Sequence, residues 1–118
     1  MGAVLIIDDE ADIRDSLAEI LVMEGYEVVT AENGREALAI AAEVRPSLIL
    51  LDLLMPEMDG WAFRAHQRRD PELATIPVVI MSAVDNIRRE ASALGADYLV
   101  KPIVLAALIN AVERHSRP

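Results

Sequence analysis

The chain has 118 residues, no cysteine and a formal net charge of −9. That length fits one domain, residues 1–118, with a core of its own, and the missing cysteines exclude disulfides, thiolate metal sites and a cysteine nucleophile. So acidic a chain has no electrostatic footprint for DNA or RNA, and no apolar run approaches the ~18–20 residues of a membrane span.

Hydrophobic residues make up 53% and aromatics 3%, so the core must be aliphatic. The first element is the apolar run Ala3-Val-Leu-Ile-Ile7, which ends in Asp8-Asp9. A strand this early leaves no room for a secretory leader, so a cytoplasmic location is expected. Ile13, Leu17, Ile20 and Leu21 then recur at helical spacing, with Gly25 as stop signal. Tyr26–Ala31 alternates enough to be a strand. Asn33-Gly34 opens a second helix that ends before Pro46. The run Ser47-Leu-Ile-Leu-Leu51 ends in Asp52, and a loop through Gly60 precedes a helix from about Trp61 to Arg68. Pro77-Val-Val-Ile-Met81 ends in Ser82. A helix from about Asn86 to Leu94 stops at Gly95. Ala96-Asp-Tyr-Leu-Val100 ends in Lys101-Pro102, and the last helix runs from about Val104 to Arg114.

Strands alternating with helices predict right-handed crossovers and a parallel sheet covered on both faces. The fold class is therefore α/β: a flavodoxin-like (βα)5 sandwich with strand order 2-1-3-4-5. The first, third and fourth strands read as fully buried; the second is the most polar and belongs at an edge. Four strands end in a polar group. In a parallel sheet those ends share the edge where open α/β sheets bind ligands. Asp8, Asp9, Asp52, Ser82 and Lys101 are thereby brought together.

Three carboxylates at one edge repel one another, and at least one should have a raised pKa. A hard divalent cation removes the conflict; all-oxygen donors favour Mg2+, with Mn2+ as substitute. Asp52 is the expected nucleophile, because a carboxylate can form an acyl phosphate without a general base. Lys101 and Ser82 are placed to meet phosphoryl oxygens.

Four motifs, Ile-Ile-Asp8-Asp9-Glu10, Asp52-Leu-Leu-Met-Pro-Glu-Met-Asp-Gly60, Met-Ser82-Ala83 and Gly95-Ala-Asp-Tyr98-Leu-Val-Lys101-Pro102, stand in order along the chain. Together they closely resemble the receiver domain of bacterial response regulators over the whole length. The resemblance implies that Asp52 accepts phosphate from a phosphohistidine of a sensor histidine kinase or histidine phosphotransfer protein. It implies direct metal binding by Asp9, Asp52 and the backbone carbonyl of Leu54, with Asp8 acting through water. Ser82 and Tyr98 correspond to the switch residues, and the Lys101-Pro102 bond would be cis. The domain would be no enzyme in the ordinary sense, catalysing only its own phosphorylation and dephosphorylation. A second copy or an effector would bind the face of the fourth helix, fifth strand and fifth helix.

Plainer roles exist for several residues. Asp8-Asp9 would serve as helix caps, Tyr98 and Trp61 as packing, and Asp59 as a loop former. His66 and His115 read as solvated, and Met55, Met58 and Met81 as fillers. The rival functions are a Mg2+-dependent aspartyl-phosphate phosphatase and a non-signalling docking receiver. The first expects two aspartates and a threonine after strand one, where the chain has Asp8-Asp9-Glu10-Ala11-Asp12, and the second does not need the intact quartet Asp9, Asp52, Ser82, Lys101. The fifth helix departs from the family pattern: Val104 stands where a capping Asp or Ser is common. Leu105, Leu108, Ile109 and Val112 are expected to face inward, with Val104, Ala107 and Ala111 outside.

Overall fold

A computed structural model describes residues 2–84 and 86–116. Five strands alternate with five helices: β1 Val4–Ile7, α1 Ala11–Met23, β2 Val28–Ala31, α2 Gly34–Val44, β3 Leu48–Asp52, α3 Gly60–Arg69, β4 Val78–Ser82, α4 Ile87–Ala93, β5 Asp97–Val100 and α5 Leu105–Ser116. The strands form one parallel sheet in the order β2-β1-β3-β4-β5. Residues of β1, β3 and β4 are buried throughout, whereas β2 and β5, at the two edges, are only partly covered. The second strand is shorter than the alternation suggested; Tyr26 and Glu27 lie ahead of it.

Successive strand residues point to opposite faces, so the sheet divides the core in two. Leu5, Ile7, Ile49, Leu51, Val78 and Ile80 meet Ala37, Ala41, Phe63, Ile87 and Ala91 of α2, α3 and α4. Val4, Ile6, Leu48, Leu50, Val79 and Met81 meet Leu17, Leu21, Leu108, Ala111 and Val112 of α1 and α5. Aliphatic side chains supply nearly all of both cores; Phe63 is the only fully buried aromatic ring among the described residues.

The fifth helix is rotated from the orientation read off its sequence. Leu108, Ala111 and Val112 face the core, and Leu105 is 54% exposed. At ~100° per residue, that is a turn of roughly 60° about the helix axis. Leu108 lies between Ala111 and Val112 on the helical wheel, so the sheet covers all three. Leu105 is in the first turn, and Ile103, just before the helix, packs on the core in its place. His115 is not solvated: it is half-buried, with Nε2 3.2 Å from Asp97 Oδ2.

Candidate functional site

Register brings the polar strand ends together. Ile7 pairs with Leu51, which sets Asp8 beside Asp52. Asp52 pairs with Met81, and Ser82 pairs with Val100, the residue before Lys101. Lys101 is tied further by its backbone N–H, which donates to the Ser82 carbonyl at 2.9 Å, and the Lys101–Pro102 bond is cis.

Lys101 is the centre of the charge network. Its Nζ lies 2.8 Å from Asp8 Oδ2, 3.5 Å from Asp52 Oδ1 and 3.9 Å from Glu10 Oε1. Burial works against its ammonium, but the Asp8 hydrogen bond and the charges of Asp52, Asp8 and Glu10 outweigh that and raise its pKa. Asp52 is almost fully buried. Desolvation, then the Asp8 charge and more weakly that of Asp9, push its carboxyl up to about 6 against the pull of Lys101 and the Leu54 N–H. The edge holds more negative charge than one ammonium balances.

Asp8, Asp9 and Glu10 bring carboxylate oxygens within 4.8 Å of one another, a grouping that could hold a cation. Asp52 joins the edge through Lys101 rather than through that cluster. Both Asp8 oxygens are engaged, Oδ1 by the Glu10 N–H at 2.9 Å and Oδ2 by Lys101, while Asp9 and Glu10 are exposed. Neither aspartate is the N-cap of α1: that residue is Glu10, whose own side chain makes no capping bond, while Asp8 accepts its backbone N–H. Glu10 stood in the first motif without a role of its own. The signal was present, as a third carboxylate directly after the strand-end pair.

The loop after Asp52 is fastened to its neighbours. Asp59 caps α3, accepting from the Ala62 N–H at 2.9 Å. The Gly60 N–H donates to the Leu53 carbonyl at 2.9 Å, and a Cβ at Gly60 would stand 2.7 Å from the Asp52 carbonyl oxygen. Only glycine permits that approach. Leu54 donates its N–H to Asp52 Oδ1 at 3.4 Å and leaves its side chain exposed.

Ser82 is buried, and its Oγ accepts the Val84 N–H at 3.3 Å. Tyr98 is half-buried on β5, its hydroxyl reached by Arg88 Nε at 3.4 Å on the surface of α4. Trp61, Met55 and Met58 pack partly buried against the core, Met81 is buried, and His66 is exposed, away from any chemistry.

Comparison with known proteins gives the same picture. The family model described as "Response regulator receiver domain" matches residues 4–113. The chain is 39% identical to the "Probable transcriptional regulator ycf27" of Porphyra purpurea, over 96% of this chain and 48% of the relative. It is 41% identical to the "Transcriptional regulatory protein PrrA" of Mycobacterium tuberculosis, over 93% and 48%. It thus spans about half the length of these relatives. Among solved structures, chemotaxis protein CheY4 of Vibrio cholerae superposes with a TM-score of 0.88 at 35% identity, covering 98% of each chain. The receiver domain of a histidine kinase from Syntrophus aciditrophicus gives 0.88 at 35%, covering 98% of this chain and 90% of that one. With the sheet order, the strand-end quartet and these matches in hand, the chain belongs to the response regulator receiver domain family of two-component systems.

Proposed function

We propose that Asp52 takes a phosphoryl group from the phosphohistidine of a sensor histidine kinase or a histidine phosphotransfer protein. The observation that carries this reading is the buried Asp52 carboxylate paired with Lys101 beside an acidic cluster at the ligand-binding edge. With a pKa of about 6, Asp52 is mostly ionised at neutral pH. An Asp52 oxygen attacks phosphorus, the P–N bond breaks, and its electron pair stays with the departing imidazole. No base is needed. The Lys101 ammonium and the Ser82 hydroxyl offset charge on the phosphoryl oxygens.

The residues present fit a hard divalent cation: every donor is oxygen, and the acidic excess is left uncompensated. Asp9, Asp52 and the Leu54 carbonyl would hold Mg2+, or Mn2+ in its place, with Asp8 acting through water because both its oxygens are engaged. Mg2+ would supply charge neutralisation for the phosphoryl group when bound. Beside the site, Ile13, Leu17 and Ile20 of α1 and Pro102 and Ile103 line an apolar groove rimmed by Asp12, Ser16 and Lys101. It offers the donor protein a seat next to Asp52.

The domain turns over no separate substrate; it catalyses its own phosphorylation and dephosphorylation. Ser82 moving to the phosphoryl group releases the Val84 N–H, and Tyr98 turning inward releases Arg88. These changes bias the face of α4, β5 and α5 toward an effector or a second copy. The apolar part of that face is Val100, Val104 and Ala107. A chain of this charge is not itself a DNA reader, so a transcriptional output would belong to another segment. A cytoplasmic location is part of this proposal. Among the described residues no helix is long and apolar enough to cross a membrane.

Intact-mass measurement with a phosphohistidine donor or a small acyl phosphate tests the reading. Wild type should gain one phosphate only with Mg2+ or Mn2+, Asp9→Asn should gain little, and Asp52→Asn none. Phosphate on Asp52→Asn would contradict it.

A further inference from the structure

The helix α4 is held at both ends. Where it is entered from β4, the Val84 N–H is bound by Ser82. Where it ends, it is held by α3. Arg64 Nε donates to the Leu94 carbonyl at 3.0 Å and Nη2 to the Gly95 carbonyl at 3.3 Å. Its Nη1 donates to Gln67 Oε1 at 2.8 Å, and Gln67 Nε2 donates in turn to the carbonyls of Leu73, at 2.9 Å, and Ile76, at 3.1 Å. Arg64 is 6% exposed and Gln67 fully buried.

None of Arg64's partners among the described residues is a carboxylate. Burial, and then the nearby Arg68 charge, hold its guanidinium below the usual arginine range. An apolar side chain of similar volume fills such a space without desolvating a charge. What arginine adds is direction. Its planar fork fixes two carbonyls at the end of α4 relative to α3.

The other end of the same helical face touches the phosphoacceptor. Gly60 is four residues before Arg64, on one face of α3 and ~6 Å away along the axis. Its N–H is bonded to the Leu53 carbonyl, and its Cα packs so closely on the backbone of Asp52 and Leu53 that no Cβ fits. Gln67 continues that face. One helical turn therefore spans from the Asp52 backbone to the end of α4.

We propose that Arg64 is a positioning residue that links the backbone of the Asp52 loop to the C-terminal end of α4, a second connection beside the one through Ser82 and Tyr98. It rests on Asp52 being the phosphoacceptor. Phosphorylation then shifts α4 from both ends, and the far end responds only while the Arg64 fork is intact.

Hydrogen–deuterium exchange on the full chain, with and without Mg2+ and beryllofluoride, tests this alongside intact-mass phosphorylation. In wild type, the phosphoryl mimic should change exchange in peptides covering 82–90 and 91–97. Arg64→Met should still take phosphate and respond at 82–90, but lose at least about fivefold of its response at 91–97. A merely structural role for Arg64 would raise exchange at 91–97 equally with and without the mimic, leaving the difference intact. That result overturns the proposal, as does a phosphorylated wild type with no response at 91–97. If Arg64→Met does not fold, Arg64→Lys, which keeps the charge without the fork, is judged by the same criterion. A wild type that takes no phosphate overturns the assignment of Asp52 and the proposal with it.

Discussion

The carboxyl edge of the sheet and the face of α4, β5 and α5 are built on different rules. At the edge, every site side chain stands at or just after the end of a strand whose register is set by its neighbours: Ile7 against Leu51 fixes Asp8 beside Asp52, and Ser82 against Val100 fixes Lys101. On the face, what a side chain meets depends on where a helix starts and how it is turned. A parallel sheet with both faces buried allows no slip without exposing a whole apolar set. A helix turned by 60° exchanges only a few residues. The edge is therefore over-determined and the face is adjustable, which suits chemistry in one place and signalling in the other.

The largest effect that sharpens this contrast lies on α5. Ala111→Glu puts a charge into the core beside Leu108 and Val112 and should cost about 4 kcal/mol in denaturant unfolding, or prevent folding. Leu105→Glu, more than half exposed, should change stability by less than about 0.5 kcal/mol. Equal costs would undo the observed rotation of the helix. Ala107→Glu, exposed on the β5 side of α5, should weaken phosphorylation-dependent association, measured by sedimentation, and leave Asp52 phosphorylation intact.

At the edge, Lys101→Met leaves the buried Asp8 carboxylate without its cation and should cost about 3 kcal/mol at pH 7. Asp52→Asn should do the opposite. The Asp52 carboxyl is raised to about 6, so the folded state holds its proton more tightly than the unfolded one, which titrates near 3.8. Wild-type stability from this group is full below pH ~4 and is lost as pH rises through about 6. The variant escapes that loss. Its advantage should be near zero at pH 3.5, grow between pH 4 and 6, and level off at about 3 kcal/mol above. Melting temperatures across that range check it; a variant equally stable at pH 7 would mean that the edge carries no excess charge. Added Mg2+ should stabilise wild type more than the variant.

The smallest effect concerns lifetime. Leu54 and Val84 stand two residues after Asp52 and Ser82, and apolar side chains there offer an attacking water no hydrogen bond. Leu54→Asn with Val84→Glu should speed loss of phosphate about tenfold, equivalent to about 1.4 kcal/mol of barrier. Following intact mass over time checks it; an unchanged rate would remove these two side chains from the account.

The same contrast explains what the sequence made legible. Strand order, the edge position of β2 and the convergence of Asp8, Asp52, Ser82 and Lys101 follow from unbroken apolar runs ending in polar groups. Those runs leave one arrangement that buries both faces. The inward stripe of α5 was misjudged because four apolar positions, Leu105, Leu108, Ile109 and Val112, fit a helical period as well as the true set does. No cap residue at Val104 marked where the first turn would sit. The Arg64–Gln67 network was invisible for another reason: two polar residues in a helix with three arginines read as solvent-facing until the end of α4 is seen lying over them. His115 was misread in the same way, because its partner Asp97 lies on β5, far from it in sequence.

The central claim is that Asp52 alone among the crowded acids of this edge carries the phosphoryl group. The most direct measurement is borohydride reduction of the Mg2+-phosphorylated protein followed by peptide mapping, which converts an aspartyl phosphate to homoserine at its own position. The account predicts homoserine at residue 52 and nowhere else. Reduction product at Asp8, Asp9 or Glu10, or phosphate held on His66 or His115, would contradict it.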